Sequence, residues 1–424
     1  MSVDALRGFD MFWIIGADAL VNALGRIADG LHGNLSENQG SPLYRFVKFL
    51  ADQLEHAEWE GFHFYDLIFP LFVFIVGVSI VFSLTKNMEQ GGRSAAVKRV
   101  LRRGILLFIV ALFYSGGFSH PWPDIRLMGV LNRIALAYTF AGLLFIFLKP
   151  RALVAVCAGL LVGYWALMTF VPVRNIALTR ANIARIAEDA GDKKIADYYR
   201  NEDSPNPSTI KGSPYWAAAE KYFYATTNYV TGKFDKGHNL ADHADFQYLP
   251  GRRYDTFFDP EGFLSTLPGI ATCLLGVFAG LLLTSQTISD RQKFSLLLMA
   301  GIIGIVLGRL WGVQFPVIKK IWTSSYVLVA GGYSCIFLAV FHQVIEIWKY
   351  QKWAMPFVWI GMNPITIYLL HNIVDLPKLA SRFVGGPIAA GFGNYGELLV
   401  TIVVLGMSFL LCNFLYRRKI FLRL

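Results

Sequence analysis

Charged residues are scarce in this chain. They make up 16% of its 424 residues, against 55% hydrophobic, and the mean hydropathy is +0.46. That shortage excludes a soluble globular protein, which would be left with far too much apolar surface against water. Cysteine is scarce as well: Cys157, Cys273, Cys335 and Cys412 all fall within apolar runs, and no polar loop contains one. Disulfide stapling and a cysteine metal site are therefore not expected. There is no Gly-x-Ser-x-Gly turn and no Gly-rich phosphate loop, so the signatures of soluble serine hydrolases and P-loop enzymes are absent. Nor is there an internal repeat, the usual mark of a transporter built from matching halves.

What the chain has in abundance is apolar runs of membrane length. They lie near residues 6–25, 63–85, 100–117, 127–148, 152–172, 263–285, 295–313, 321–347, 355–373 and 396–416. Each is close to the roughly 20 residues that cross a hydrocarbon layer about 30 Å thick. The first begins almost at Met1 and carries Asp10 and Asp18, so it reads as a retained helix and not as a cleavable signal. The predicted fold class is an all-α polytopic membrane protein of about ten transmembrane helices, a single domain over residues 1–424.

The net charge of +10 would suggest nucleic acid in a soluble protein. Here its placement in short loops explains it better, and no nucleic-acid partner is expected. With the N-terminus inside, the inner connections hold Lys86, Arg93, Lys98, Arg99, Arg102 and Arg103, then Lys149 and Arg151, Arg291 and Lys293, and Lys349 and Lys352. The tail adds Arg417, Arg418, Lys419 and Arg423. Lysine and arginine concentrate in cytoplasmic loops, so both termini are placed in the cytoplasm, with Lys319 and Lys320 against the trend. Residues 173–262 then form one large extracytoplasmic insertion between helices five and six, and loop 26–62 shares its side. Within the insertion the sequence predicts a helix around residues 182–190, a mobile polar stretch at 203–208 and an aromatic-rich piece at 215–229.

Titratable residues run directly into a membrane segment in HAEWEGFHFYDLIFPLFVFIVG, residues 56–77. His56 and His63 precede the apolar run, Asp66 lies just inside it, and Pro70 follows one turn later. A carboxylate inside a span is costly and marks a functional site whose partner must be sought. Asp10, Asp18, Arg133, His342, Glu346, Asn363 and His371 are further polar groups inside spans where chemistry could reside. Structural ion pairs are the competing reading: Arg133 with Asp66, Arg7 with a neighbouring acid, and His342 with Glu346, four residues on. Asn363 followed by Pro364 predicts a local break in helix nine. His56, Glu60 and His63 would share a helix face as metal ligands, but Gly61 weakens that helix. His238, Asp242 and His243 supply no firm second ligand spacing, and no metal is expected.

Six blocks occur in order: SVDALRGFD (2–10), the 56–77 stretch, GVLNRIALAY (129–138), FDPEGFLSTLPGI (258–270), GMNPITIYLLH (361–371) and LYRRKIF (415–421). Together they resemble the heparan-alpha-glucosaminide N-acetyltransferase family of transmembrane acyltransferases. The resemblance runs from the first residues to the last and is interrupted mainly in the outer insertion. It is to bacterial-type members, without the large lumenal N-terminal domain of the animal enzyme, and it implies a multi-pass protein of a bacterial inner membrane.

Chemically, the resemblance implies transfer of acetyl from cytosolic acetyl-CoA, a cosubstrate, to an extracytoplasmic amino sugar or glycan, with terminal glucosamine the expected acceptor. His56 falls on the family's histidine, which either carries acetyl or acts as general base. The family's assisting asparagine aligns with Asp18, a departure, because an amide cannot ionise and Asp18 can. Asp66 would hold the imidazole tautomer, completing a catalytic set of His56, Asp18 and Asp66. Arg7, Arg102, Arg103, Arg133, Asn363 and His371 are expected to hold acetyl-CoA, with fixing of topology as the alternative role of the loop arginines. His63, Asp259 and Glu261 are expected to meet the acceptor, with capping of helix six as the alternative for the acids. Trp216, Tyr222 and Tyr224 are candidates for stacking on sugar rings or for anchoring at the membrane surface. Membrane lipid is a partner, and the animal member's dimeric state makes a homodimer an expectation to test. The alternative class is an ion-coupled transporter or flippase for a glycan or small solute, in which Asp18, Asp66 and Arg133 would line the pathway.

Overall fold

The computed structural model describes residues 1–32, 42–119, 121–209 and 213–421. Its N-terminal half contains α1 (Ser2–His32), α2 (Pro42–Leu54), α3 (Phe64–Tyr114), α4 (Val130–Phe147) and α5 (Pro150–Phe170). The segment that the sequence assigns to the outer side follows, with α6 (Arg180–Asp189), α7 (Lys193–Arg200), α8 (Pro214–Ala225) and α9 (Leu240–Tyr248). The C-terminal half holds α10 (Thr266–Thr284), α11 (Asp290–Gly312), α12 (Ser324–His342), α13 (Met355–Gly361), α14 (Pro364–Val374), α15 (Leu376–Val384), α16 (Pro387–Gly391) and α17 (Gly396–Arg417). The only sheet among the described residues is a two-residue antiparallel ribbon, β1 (Val173–Arg174) with β2 (Tyr229–Val230).

Helix α3 runs for 51 residues, about 77 Å at 1.5 Å per residue. That is more than twice a hydrocarbon layer of about 30 Å, so it cannot be one span. It breaks at Gly92, whose φ of 72° and ψ of −177° are not helical, among the basic residues that the sequence assigns to an inner loop. Seven helices among the described residues are long and apolar enough to cross a membrane, or eight if Lys352–Gly361 and Pro364–His371 form one span bent by 68°. That bend falls at the Asn363–Pro364 break expected from sequence. The protein is an all-helical polytopic membrane protein.

Two pairs of glycines bring backbones together and fix the helices that matter for the site. A Cβ on Gly77 of α3 would lie 1.9 Å from the Cys273 carbonyl oxygen of α10, and one on Gly276 would lie 1.9 Å from that of Phe74. Likewise a Cβ on Gly8 of α1 would lie 1.7 Å from the Phe357 oxygen, and one on Gly361 of α13 would lie 1.9 Å from that of Asp4. Small residues permit this approach in lipid, where dispersion contacts replace the hydrophobic drive.

The outer segment has its own core of Tyr199, Trp216, Phe223, Phe246 and Phe257. Arg253 is buried there and its guanidinium closes the C-terminal turn of α9, donating to the carbonyls of Asp245 (3.0 and 2.9 Å), Phe246 (3.1 Å) and Leu249 (2.5 Å). The stretch at 203–208, expected to be mobile, is pinned to it. Ser208 is fully buried, and its hydroxyl both accepts from Arg253 N and donates to Arg253 O at 3.2 Å. At the end of α12 the expected His342–Glu346 pair does not form. A π-helical turn over Gln343–Ile347 widens the spiral, and Glu346 instead accepts from Ser2 N at 3.0 Å while His342 faces Asp290 at 3.9 Å.

Candidate active site

Gly61 ends any helix through the histidine stretch. Its φ is +135°, a region that favours glycine, and the extended chain around it pairs Glu60 with Ile318 and donates Gly61 N to Val317 O at 3.0 Å. This small bridge delivers the loop before α12 to His56. His63 then caps α3: its backbone N–H donates to Asp66 Oδ2 at 3.0 Å, and its ring Nδ1 lies 3.1 Å from Glu55 O. His63, expected to meet an acceptor, is therefore a helix cap and does not line the cavity described below.

Asp66 is fully buried and collects four contacts. Oδ1 lies 2.9 Å from His56 Nδ1 and 3.4 Å from Lys319 Nζ, and Oδ2 accepts from the backbone N–H groups of Ala57 at 3.2 Å and His63. The partner expected for Asp66, Arg133, is not one of them. Arg133, fully buried three residues into α4, turns to the loop before α10, where it donates to Pro260 O at 3.0 Å and to Ser265 Oγ, and stacks on Trp322 at 4.7 Å. Lys319 supplies the positive charge that Asp66 needs. Tyr65 stacks on the His56 ring at 4.6 Å with an interplanar angle of 12°, and Tyr326 donates to the Asp66 carbonyl at 2.8 Å. His56 Nδ1 cannot donate to Asp66 and accept from Lys319 at once. Nδ1–H on Asp66 is the arrangement that leaves no acceptor facing an acceptor, and Lys319 can then donate to Asp66 Oδ1 at 3.4 Å and to Nε2 at 3.3 Å.

A second polar cluster faces the same space. Arg126, held by pairing with Gly251, makes a bidentate contact with Asp259 at 2.9 and 2.8 Å and reaches Glu261 at 2.9 Å. Its guanidinium also covers the exposed ring of Tyr254 at 4.9 Å. Burial alone would lower the Arg126 pKa, but the bond to Asp259 and the charges of both acids outweigh it and raise it. Burial, then the Asp259 charge, pushes Glu261 up to about 7, against the opposing pull of Arg133 and Arg126. The acids do not cap the following helix: the residue at that N-cap is Ser265.

Both clusters open on one cavity of about 710 Å³, within the range of roughly 300–1,000 Å³ usual for small-molecule sites. His56, Lys319, Lys320, Arg126, Tyr254 and Glu261 line its polar part. Its apolar part includes Met11 and Ile15 of α1, Phe72 of α3 and Ile134 of α4, with Tyr368 and His371 of α14 along one side. Arg7 is four residues from Met11 and Tyr138 four from Ile134, so roughly 6 Å of helix separates the cavity floor from the next polar layer. There Arg7 bonds Asp4 at 3.2 Å, the Gly361 carbonyl at 3.1 Å and Ser79, and Arg103 lies over Tyr138 at 5.0 Å.

Of the residues singled out in the sequence, His56, Asp66, Asp259, Glu261 and His371 come together at this cavity or directly behind it, and Arg7 and Arg103 lie beneath it. Arg102 is exposed, and buried Asn363 donates to Ile420 O at 3.2 Å near the C-terminal end. Asp18 lies on α1, but its side chain is outside the described residues. Trp216 belongs to the outer core, Tyr222 packs against that core and Tyr224 lies under Arg174 at 5.5 Å; Tyr254 is the aromatic residue of the insertion at the cavity. Lys319, Arg126 and Tyr254 were not anticipated as site residues. Lys319 did carry a signal, as an exception to the charge rule for outer loops.

Residues 43–199 match the family described as "Heparan-alpha-glucosaminide N-acetyltransferase, catalytic". Heparan-alpha-glucosaminide N-acetyltransferase of Mus musculus is 25% identical over 413 residues, and that of Homo sapiens 25% over 423. In both cases 91% of this chain is covered, and the chain spans 57% of the relative's length. The matched family segment holds His56, Asp66, Arg126 and Arg133. By that match and by similarity along nine-tenths of its length, the chain resembles the heparan-alpha-glucosaminide N-acetyltransferases.

Proposed function

We propose that the protein transfers acetyl from cytosolic acetyl-CoA to an extracytoplasmic amino sugar, a terminal glucosamine in the leading case, with both chain termini in the cytoplasm. The observation that carries this reading is the His56–Asp66 pair at the polar mouth of a cavity whose apolar part descends between α1, α3, α4 and α14. An imidazole with Nδ1–H held by a carboxylate presents Nε2 as base or nucleophile. The acetyl-pantetheine arm is uncharged and slender, which suits it to the apolar floor, while the charged nucleotide end would stay at the inner face near Arg7 and Arg103. Across the cavity Glu261, with Asp259 behind it on Arg126, would meet an ammonium or hydroxyl, and the exposed Tyr254 ring, backed by Arg126, would offer a flat face to a pyranose. In the names of the mammalian relatives the acceptor is heparan alpha-glucosaminide, and this chemistry suits that class of sugar.

The test uses the full-length protein in detergent or liposomes. Acetyl-labelled CoA is added alone, then with glucosamine and related amino sugars, and label on protein and sugar is followed. Transfer to sugar supports the reading, and protein-bound label before acceptor is added identifies an acetyl-histidine route. Failure to bind acetyl-CoA or to label any amino sugar refutes it and shifts support to solute transport.

A further inference from the structure

Lys319 is an unusual neighbour for a catalytic imidazole. Its Nζ lies 2.9 Å from Nδ1 and 3.3 Å from Nε2 of His56, distances that put the ammonium over the face of the ring, beside both nitrogens. It is mostly buried, with 19% of its side-chain surface exposed, yet that surface is at the cavity wall. Asp66 does not need it for hydrogen bonding: two backbone N–H groups and the imidazole already approach the carboxylate. Burial lowers the Lys319 pKa, and the Asp66 charge acts against that shift. Its position is fixed by the 315–323 loop, in which Ile318 pairs with Glu60 and Trp322 turns through a φ of 51°. A side chain that served only to neutralise Asp66 would gain by lying on the far side of the carboxylate, away from the reacting nitrogen. Here it lies beside the ring nitrogens, at the wall of the cavity that His56 also lines.

We propose that Lys319 is a catalytic residue whose ammonium stabilises the oxyanion formed when the acetyl thioester is attacked. This inference rests on the acetyl-transfer reading. Attack comes either from His56 Nε2 or from the acceptor amine with Nε2 taking its proton. In both cases one C–N bond forms at the thioester carbonyl carbon and the carbonyl π pair moves to oxygen. The Lys319 ammonium, 3.3 Å from Nε2 in the resting site, turns an N–H to that oxygen as Nε2 becomes engaged. Collapse restores the carbonyl, breaks the C–S bond and expels CoA as thiolate. On the histidine route the acceptor amine then attacks the acetyl-imidazole carbonyl, through a second oxyanion, and the C–Nε2 bond breaks as the amide forms. The surplus proton of the acceptor amine ends on the thiolate, directly or by way of His56, so acetyl thioester and amine become amide and thiol without a further reagent. Both routes pass through the same type of oxyanion, so the role of Lys319 does not depend on which is followed.

The experiment compares wild type, Lys319→Met and Lys319→Arg, with Lys319→Gln replacing the Met variant if that does not fold. Steady-state transfer is measured against both substrates, and the carbonyl stretch of bound acetyl-CoA, carrying carbon-13 at the carbonyl, is read by difference infrared spectroscopy. Removing one preorganised oxyanion donor lowers kcat by about 100- to 1,000-fold; that loss is expected for Lys319→Met, with acetyl-CoA affinity changed less than about threefold. The bound carbonyl should absorb at lower frequency than free acetyl-CoA in wild type, return to the free frequency in Lys319→Met, and recover in part, with kcat, in Lys319→Arg. A wild-type carbonyl at the free frequency overturns the proposal, as does a kcat for Lys319→Met within fivefold of wild type. So does a loss in Lys319→Met confined to acetyl-CoA binding, with kcat preserved at saturation. Absence of any transfer by wild type would instead remove the acetyl-transfer reading itself.

Discussion

Replacing Asp66 by asparagine tests the site where its geometry is most specific. The amide keeps the shape of the carboxylate but turns one acceptor into a donor. Two backbone N–H groups, of Ala57 at 3.2 Å and His63 at 3.0 Å, converge on the Oδ2 position, so the amide oxygen must settle there. Its NH2 then faces His56 Nδ1 and the Lys319 ammonium. To avoid donor against donor, the imidazole must accept at Nδ1 and carry its proton on Nε2, which removes the lone pair that faces the reaction. The same reversal in Ser-His-Asp hydrolases lowers kcat about 10,000-fold, or roughly 5.5 kcal/mol of barrier. We expect a loss of about 1,000- to 10,000-fold in acetyl transfer. Stability should suffer less. Breaking a fully buried ion pair costs about 3–5 kcal/mol, but 50% of the His56 and 19% of the Lys319 side-chain surface is exposed, and solvent screening brings the figure down. The assay is turnover of labelled acetyl-CoA beside thermal unfolding in detergent. A folded Asp66→Asn protein that keeps more than a tenth of wild-type kcat would refute the tautomer argument.

Glu261→Gln should raise the acceptor KM about tenfold, equivalent to about 1.4 kcal/mol, and leave the acetyl-CoA KM within about twofold; equal effects on both substrates would count against an acceptor wall. For His243 the sign runs through its neutral form. Burial, against two carbonyl contacts at 3.0 and 3.1 Å, lowers its pKa from 6.5 to about 4, so its contribution is full above 6.5 and is lost as pH falls towards 4, by at most about 3 kcal/mol. Asp245 and Glu261, both raised to about 7, act in the opposite sense, their contributions being lost as pH rises. Melting His243→Gln beside wild type isolates the first effect, and a stability difference constant from pH 7 to 4 would contradict it.

The membrane class and the Asn363–Pro364 break were legible because each rests on a local property: run length, or a proline without an N–H. His56 and Asp66 could be picked out because a polar group beside a span has few innocent explanations. Their grouping with Lys319 could not be read, because it depends on an extended bridge between Glu60 and Ile318, 258 positions apart, that leaves no periodic trace. Arg133 was paired with the wrong acid for the same reason. Charge complementarity says that a buried arginine needs partners but not which loop will supply them, and here it is the carbonyl of Pro260 and the hydroxyl of Ser265. The aromatic residues show the limit of composition: Trp216 and Tyr254 both sit in the polar outer segment, yet one is 3% exposed and the other 64%.

Pairing explains how so many charged groups share the top of a helix bundle. Asp66 sits with Lys319, Asp255 with Lys320, and Asp259 and Glu261 with Arg126, with Arg133 close behind them. Burial of any one alone would be prohibitive, and removal of one partner leaves the other uncompensated. The clusters are also built differently. The first is anchored by the N-terminus of α3, where backbone N–H groups and the first turn favour a carboxylate, and α3 is locked to α10 by the Gly77 and Gly276 contacts. The second is held by loops, through the pairing of Arg126 with Gly251 and the turn that carries Asp259. A rigid element positions a reacting group more closely than a loop does, while loops tolerate change of sequence and shape. The wall carrying His56 and Asp66 is thus the one suited to fixed chemistry, and the wall carrying Arg126, Tyr254 and Glu261 is the one suited to the choice of acceptor.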